Sequence, residues 1–209
     1  MPKIYTPEHD RLEPEEFEPV VLFKTGIYGS SELGFMPRIA HLLGARLVSG
    51  DNIKRSVFGG PEHVPHKVGS QHVKITQARE MLAGLLVEED VVVDAHYNTA
   101  HTRANGPVLM ADAAEAFVVA IQFDLPNPEF AKRRIRRWMA DGTMVAPVKS
   151  WKKGPLDAID NAMGNIQKIS ANEPGIDHVV QLDGRLPLEQ MVECTMAELE
   201  TVDILPATA

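Results

Sequence analysis

The feature that most constrains the fold of this chain is the regular alternation of short apolar runs with longer amphipathic stretches. The apolar runs are valine-rich, short and bounded by glycine, proline or polar residues, a pattern typical of buried strands. The stretches between them carry apolar residues at three- and four-residue spacing, which indicates amphipathic helices. Strands that alternate with helices predict a parallel sheet covered by helices on both faces. The predicted strands are residues 19–23, 45–49, 90–95, 117–125 and 178–184.

The length of 209 residues suits one domain with a substantial core. We predict a polar, acidic N-terminal arm at residues 1–18, a folded domain at 19–203 and a C-terminal tail at 204–209. The sequence contains no internal repeat.

Charge and cysteine content narrow the partners and the compartment. The 21 basic and 29 acidic residues give a net charge of -8, which argues against a whole-surface attraction to nucleic acid or to an anionic membrane. The one cysteine, Cys194, excludes an intramolecular disulfide and a cysteine-rich zinc site. We expect it in the core, on the apolar face of the last helix. The single cysteine fits the reducing cytosol, so we predict a cytoplasmic protein. No apolar run is long enough to span a bilayer, so we predict no membrane partner. We also predict no metal site.

The loop after the first predicted strand, within VVLFKTGIYGSSELG at residues 20–34, has the position of a phosphate-binding loop. Such a loop, G-x-x-x-x-G-K-[ST], uses glycines to wrap backbone amides around phosphates, a lysine for the β and γ phosphates, and a hydroxyl for magnesium. Here only Gly26 matches, because Ser31, Glu32 and Leu33 occupy the last three positions. Glu32 places a carboxylate where the lysine belongs, which replaces an attraction for phosphate by a repulsion.

Other residues of the loop still suit a tight turn around phosphates, namely Gly29 and Ser30, with Tyr28 beside them. Proline is tolerated only in the first turn of a helix. Because Pro37 follows closely, we expect the next helix to begin near Phe35 or Met36. The alternative is a plain strand-to-helix turn that binds no ligand.

Ligands of parallel sheets bind beyond the carboxyl ends of the strands. Asp51 follows the second predicted strand, and Asp94 ends the third. The fourth strand leads into an arginine-rich helix within NPEFAKRRIRRWMADG, and the fifth ends in an Asp-Gly turn at Asp183. Asp51 also suits a helix N-cap, and the arginines also suit a solvated helix face.

In this order the chain resembles the P-loop kinases, and within them the polynucleotide-kinase-like group, from about Val20 to Leu199. The resemblance implies an α/β protein with a three-layer P-loop kinase-like fold. It implies a five-stranded, mainly parallel sheet with helices on both faces and a small helical lid at about residues 132–153. The Walker A loop departs from the family pattern at Glu32.

The resemblance also implies roles for particular residues. Asp51 would accept the proton of the acceptor hydroxyl, and Asp94 would help to place magnesium or substrate. Arginines of the lid helix would clamp the phosphates, and here they would be Arg133, Arg134, Arg136 and Arg137. Arg133 and Arg137 lie one turn apart and share a side, whereas Arg134 points elsewhere. The implied nucleotide contacts are Gly26, Tyr28, Gly29, Ser30, Ser31, Glu32 and Arg134, with ATP and Mg²⁺ as cofactors.

Three further residues follow the third strand and are predicted by position alone to line a substrate pocket: His96, Asn98 and Arg103. The implied partners are a nucleotide and a hydroxyl-bearing substrate. The sequence gives no indication of the oligomeric state.

Three functions stay open at this point, and the sequence favours the first of them. The first is an ATP-dependent phosphotransferase that acts on a hydroxyl of a polynucleotide, a nucleoside or a small molecule, with another cation, such as Lys24 or a lid arginine, in place of the loop lysine. The second is a pseudokinase that has lost nucleotide chemistry and binds a partner or ligand. The third is a single-stranded nucleic-acid-binding accessory protein, in which Trp151 would stack on bases beside Lys149, Lys152 and Lys153.

Overall fold

The computed structural model describes residues 18–60, 63–65, 68–125, 127–144, 155–170 and 172–204. Its strands are β1 Val20–Thr25, β2 Arg46–Ser49, β3 Val91–His96, β4 Phe117–Asp124 and β5 His178–Asp183. They form one sheet in the order β2-β3-β1-β4-β5, and every neighbouring pair is parallel. The predicted α/β class and the five-stranded sheet are confirmed, and the sheet is parallel throughout.

The helices lie in the connections between successive strands, except the last, which follows β5. They are α1 Phe35–Leu43, α2 Gly50–Phe58, α3 Val68–Leu85, α4 Ala100–Arg103, α5 Leu109–Asp112, α6 Pro128–Ala140, α7 Pro155–Met163 and α8 Leu188–Glu200. A π-helical turn at Ala104–Val108 joins α4 to α5. The prediction that α1 begins near Phe35 is confirmed. Within the described part of the chain, no helix is long and apolar enough to cross a membrane.

The two faces of the sheet bury alternate residues of each strand, because side chains of a strand point to opposite faces in turn. Leu22 and Val92 pack with α1 and α8 on one face. Phe23 and Val93 pack with α3 and α5 on the other. The expected three layers are therefore present. Cys194 is exposed on α8, contrary to its predicted place in the core.

A third apolar cluster fixes the position of α6 relative to the loop after β1. Ile27 of the loop is buried against Ala131, Ile135 and Trp138 of α6 and Ile159 of α7. Gly29 lies so close to α6 that a Cβ there would approach the carbonyl oxygen of Ala131 to 3.0 Å. The helix predicted as a lid is thus packed directly on the loop.

The register of β1 shifts where the strand reaches the site. Phe23 pairs with Val93, but Lys24 pairs with His96, so the ladder between β1 and β3 is irregular between Phe23 and Lys24. Such bulges redirect a side chain at the end of a strand. Lys24 is buried, with 8% of the residue exposed, and it faces Asp94 of β3.

Parts of the predicted domain division lie outside the described residues. These are residues 1–17 of the arm, 145–153 of the lid and 205–209 of the tail. The division itself stays a prediction.

Candidate functional site

A cavity of about 700 Å³ opens at the carboxyl end of the sheet, between the loop after β1, the end of β3 and helices α2 and α3. This is the edge at which parallel α/β sheets bind ligands. The charged residues that line it are the cationic Lys24, Lys54, Arg55 and Lys74 and the acidic Glu32, Asp51 and Asp94.

Glu32 is paired to the arginines of α6. Its carboxylate lies 2.9 Å from Nε of Arg134, and Nη2 of Arg137 donates to both carboxylate oxygens at 3.0 Å. The Glu32 side chain is 19% exposed and that of Arg134 only 4%. A charge-assisted hydrogen bond between side chains with so little exposure to solvent is strong and directional. The carboxylate at the lysine position is therefore held by the two arginines.

Arg134 also ties the loop to the end of β5. Its Nη1 donates to the carbonyl oxygens of Gly29, at 3.0 Å, and Gly184, at 2.9 Å. Burial lowers the pKa of Arg134, and the charge of Glu32 and its hydrogen bond oppose that shift. Arg134 thus joins the loop, α6 and the β5–α8 turn in one network.

The interior of the loop is filled by its own side chain. Ser30 is fully buried, and its amide donates to the carbonyl oxygen of Ile27 at 2.9 Å. Gly26 adopts a φ of +146°, and a Cβ there would lie 2.5 Å from Oγ of Ser30. Only glycine fits at this point of the turn. Oγ of Ser30 has no hydrogen-bond partner within the described parts of the chain.

Lys24 and Asp94 form a second internal ion pair at 2.6 Å, with side chains that are 11% and 26% exposed. The bulge in β1 brings the ammonium of Lys24 to the carboxylate that the family resemblance links to magnesium. A group of three or more histidine, cysteine or acidic side chains that would suit a metal ion is absent from the described residues.

His96 and Tyr28 lie behind this pair, with ring centroids 5.9 Å apart. Burial, and then the nearby charge of Lys24, lower the pKa of His96 to about 3. The residue as a whole is only half-buried, but its Nδ1 atom is enclosed without a hydrogen-bond partner among the residues described. Burial, followed by the charges of Asp51 and Asp94, raises the pKa of Tyr28 to about 12. Both rings are therefore neutral walls of the cavity.

Asp51 lies in the first turn of α2, where its carboxylate is exposed and accepts from Nζ of Lys54 at 2.7 Å. The N-cap of this helix is Ser49, not Asp51. Asp51 and Asp94 line the same cavity, and their catalytic roles stay predictions.

Asn98 supports the loop from below. Its Oδ1 accepts from the amide of Gly26 at 3.0 Å. It is absent from the residues that line the cavity. Asn98 therefore positions the loop, and its contact with a substrate stays a prediction.

Two predicted site residues lie elsewhere. Arg103 is fully buried and pairs with Glu173 at 2.6 and 2.7 Å, so it is a structural residue rather than part of a substrate pocket. Arg133 is exposed and lies over the ring of Phe130. The arginines that act together on the loop are Arg134 and Arg137, at a spacing of three, and not Arg133 and Arg137.

The wall opposite the loop was missed by sequence reasoning. One face of α3 presents Ser70, Val73, Lys74 and Gln77 to the cavity, and Arg55 of α2 lies on the same side. The signal was available, because these four residues follow the spacing i, i+3, i+4, i+7 that normally places apolar residues inward. The residues predicted to bind nucleic acid, Lys149, Trp151, Lys152 and Lys153, lie outside the described residues.

Comparison with known proteins defines the fold. No family model and no curated protein matches this sequence. Among solved structures, a gluconokinase from Sinorhizobium meliloti 1021 aligns with a TM-score of 0.58 at 14% identity, over 89% of this chain and 93% of that one. A shikimate kinase from Acinetobacter baumannii in complex with shikimate aligns at 0.56 and 14%, over 91% and 97%. A fungal RNA kinase aligns at 0.59 and 13%, over 91% and 89%.

The chain therefore has the fold of the P-loop kinases. The likeness extends over nearly all of each structure, with the same parallel sheet and flanking helices. At these identities the likeness establishes the fold and not the activity.

Proposed function

We propose that this protein is a pseudokinase: a P-loop kinase fold that binds a ligand or partner and has lost phosphoryl transfer from ATP. The observation that carries the proposal is the pairing of Glu32 with Arg134 and Arg137. The carboxylate occupies the arginines that, by family resemblance, would clamp the phosphates of a nucleotide.

The electrostatic cost of nucleotide binding supports this reading. At an effective dielectric constant of about 20, two unit charges 4 Å apart interact by about 4 kcal/mol. A lysine at position 32 would attract a phosphate by that amount, and Glu32 repels it. A nucleotide would also have to separate Glu32 from the nearly buried Arg134, leaving two poorly solvated charges unpaired.

The Lys24–Asp94 pair points the same way. In the family the aspartate at this strand end helps to place magnesium, whereas here its carboxylate is neutralised by an ammonium at 2.6 Å. The residues at this edge do not fit ATP and Mg²⁺. Their charges are already paired within the chain, because Glu32 pairs with Arg134 and Arg137, and Lys24 pairs with Asp94.

A calorimetric titration with Mg²⁺-ATP, on the natural protein and on Glu32→Lys, tests the proposal. The natural protein should give no saturable binding up to millimolar nucleotide. Glu32→Lys removes the carboxylate from Arg134 and Arg137 and restores the loop cation. The Kd of this variant for Mg²⁺-ATP should therefore be at least about tenfold below that of the natural protein, a difference of about 1.4 kcal/mol in binding free energy. Saturable binding of Mg²⁺-ATP by the natural protein would overturn the pseudokinase.

A second candidate is an ATP-dependent phosphotransferase that acts on a hydroxyl group. It is favoured by the unpartnered Oγ of Ser30 in the loop and by the presence of Asp51 and Asp94 in one cavity. Transfer of labelled γ-phosphate to an acceptor that is abolished in Asp51→Asn, while the fold survives, would establish this candidate. Absence of transfer in both proteins is the result expected of the pseudokinase.

A further inference from the structure

The wall of the cavity formed by α2 and α3 carries cations without an acidic partner and a buried amide without a hydrogen-bond partner, among the residues that the structure describes. Arg55 and Lys74 make no ion pair within the described parts of the chain. Lys54 is balanced by Asp51 at 2.7 Å. Both side chains are exposed and line the same wall of the cavity, in a chain whose net charge is -8, so this wall offers cations to an anionic ligand.

Gln77 is the second, independent observation. The residue is only 6% exposed, it lines the cavity, and its Nε2 has no hydrogen-bond partner among the described residues. Its amide packs on the first residue of α2, where a Cβ on Gly50 would lie 3.2 Å from Nε2. An unsatisfied buried amide is costly, so its retention in place of an apolar residue calls for a partner.

The polar face of α3 extends this pattern. Ser70, Lys74 and Gln77 share one side of the helix with Val73, and all four reach the cavity. Further along the helix, Met81 and Leu85 face the sheet and are buried in its core. The same helix is therefore apolar where it covers the sheet and polar where it borders the cavity.

We infer that the cavity takes a small organic anion, a carboxylate or a phosphate ester, held by Arg55, Lys74 and Gln77. The two cations meet the anionic group, and Nε2 of Gln77 donates to an oxygen of the ligand. A volume of about 700 Å³ accommodates a molecule of this size. The inference rests on the proposed function only in that no nucleotide fills the cavity.

Binding to the 209-residue chain without nucleotide or magnesium tests the inference, using D-gluconate, D-glucose 6-phosphate and neutral D-glucose as probes. At least one anionic probe should bind saturably and at least about tenfold more tightly than glucose. Preference for gluconate or for glucose 6-phosphate identifies the carboxylate or the phosphate as the anion. Equal binding of all three probes, or no binding, overturns the inference.

Matched variants separate the site from nonspecific attraction. Lys74→Gln and Arg55→Gln should each weaken anion binding by about tenfold. Arg79→Gln removes an exposed cation from the same helix outside the cavity and should leave binding unchanged. An equal loss in Arg79→Gln would show that the probes respond to net charge, which would overturn the assigned site.

Gln77→Met distinguishes a ligand-binding role from a structural one. The substitution keeps the size of the side chain and removes the unpartnered amide, so the melting temperature should stay the same or rise while anion binding weakens by about fivefold or more. A fall in melting temperature with unchanged binding would assign Gln77 to the fold alone. The magnesium-nucleotide titration is independent of these measurements, so either proposal can fail without the other.

Discussion

The two sides of the cavity differ in how their charges are balanced. On the loop side, Glu32 is neutralised by Arg134 and Arg137. On the helical side, formed by α2 and α3, Arg55 and Lys74 have no acidic partner in the described structure. On the loop side, the carboxylate of Glu32 takes the position that an anionic ligand would have beside the arginines. On the helical side, no side chain of the described structure takes that position beside Arg55 and Lys74.

This difference separates two properties that the fold usually combines. A P-loop kinase needs a donor site and an acceptor site in one cavity. Ion pairs within the chain can block the donor site and leave the acceptor site open, because each ion pair affects only the residues beside it. Loss of nucleotide chemistry is therefore compatible with retained recognition of a small molecule.

The largest effect is expected on the loop side, from Glu32→Gln. Removing the carboxylate leaves the charge of Arg134 without its partner in a nearly dry place, which should cost about 3 kcal/mol of unfolding free energy. The melting temperature should fall by roughly 6–12 °C. Arg137→Gln is the control, because that side chain is 61% exposed and its loss should cost less than about 1 kcal/mol. Equal costs in the two variants would show that Arg134 does not depend on Glu32.

Lys24→Met sharpens the comparison at the strand end. Asp94 would lose its cation, and unfolding free energy should drop by about 2 kcal/mol. The freed carboxylate should then make the melting temperature rise with Mg²⁺, whereas the natural protein should show no such dependence. Lys54→Met is the control, since its partner Asp51 is exposed and the loss should stay below about 1 kcal/mol. A magnesium response of the natural protein would show that Lys24 does not block the site.

The pH dependence of stability tests the burial of the His96 ring in the cavity wall. Its pKa is lowered to about 3 in the folded protein and is about 6.5 when unfolded, so below pH 6.5 the unfolded chain binds a proton that the folded protein does not. The stabilisation is complete above about pH 6.5 and is lost as the pH falls towards 3. Urea denaturation should show a loss of about 2 kcal/mol between pH 7.5 and 5, with a slope that approaches about 1.36 kcal/mol per pH unit at the acidic end. A His96→Asn variant with the same pH slope would rule out His96 as its source.

The smallest effect is expected on the helical side, and it has the opposite sign. Gln77→Met removes a buried amide that has no partner in the described structure and should stabilise the protein by about 1 kcal/mol. That corresponds to a rise in melting temperature of roughly 2–4 °C. A loss of stability comparable to that of Glu32→Gln would mean that both sides of the cavity are structural, and the contrast between them would disappear.

The sheet and its layers were predictable because they follow from local pattern. Valine-rich runs such as residues 91–93 can only be buried on both faces, and the periods of the flanking helices leave few alternatives. The same local signals predicted that α1 begins near Phe35 or Met36, and the helix begins at Phe35. They failed at Cys194, where one position along α8 separates a buried face from an exposed one.

The pairings in the site were not predictable because they join distant parts of the chain. Glu32 and Arg137 are 105 residues apart, and their contact depends on how α6 packs on Ile27. Arg103 looked like a pocket residue because it follows His96 closely. Only the structure shows that Arg103 forms a buried ion pair with Glu173, which lies 70 residues later in the chain.

The most direct test of the closed loop side is a crystal structure of the natural protein grown with excess Mg²⁺-ATP. We predict that no nucleotide occupies the loop, that Glu32 stays about 3 Å from Arg134 and Arg137, and that Lys24 stays paired with Asp94. Phosphates bound in the loop, with the arginines turned from Glu32 towards them, would contradict the account. That result would favour the ATP-dependent phosphotransferase.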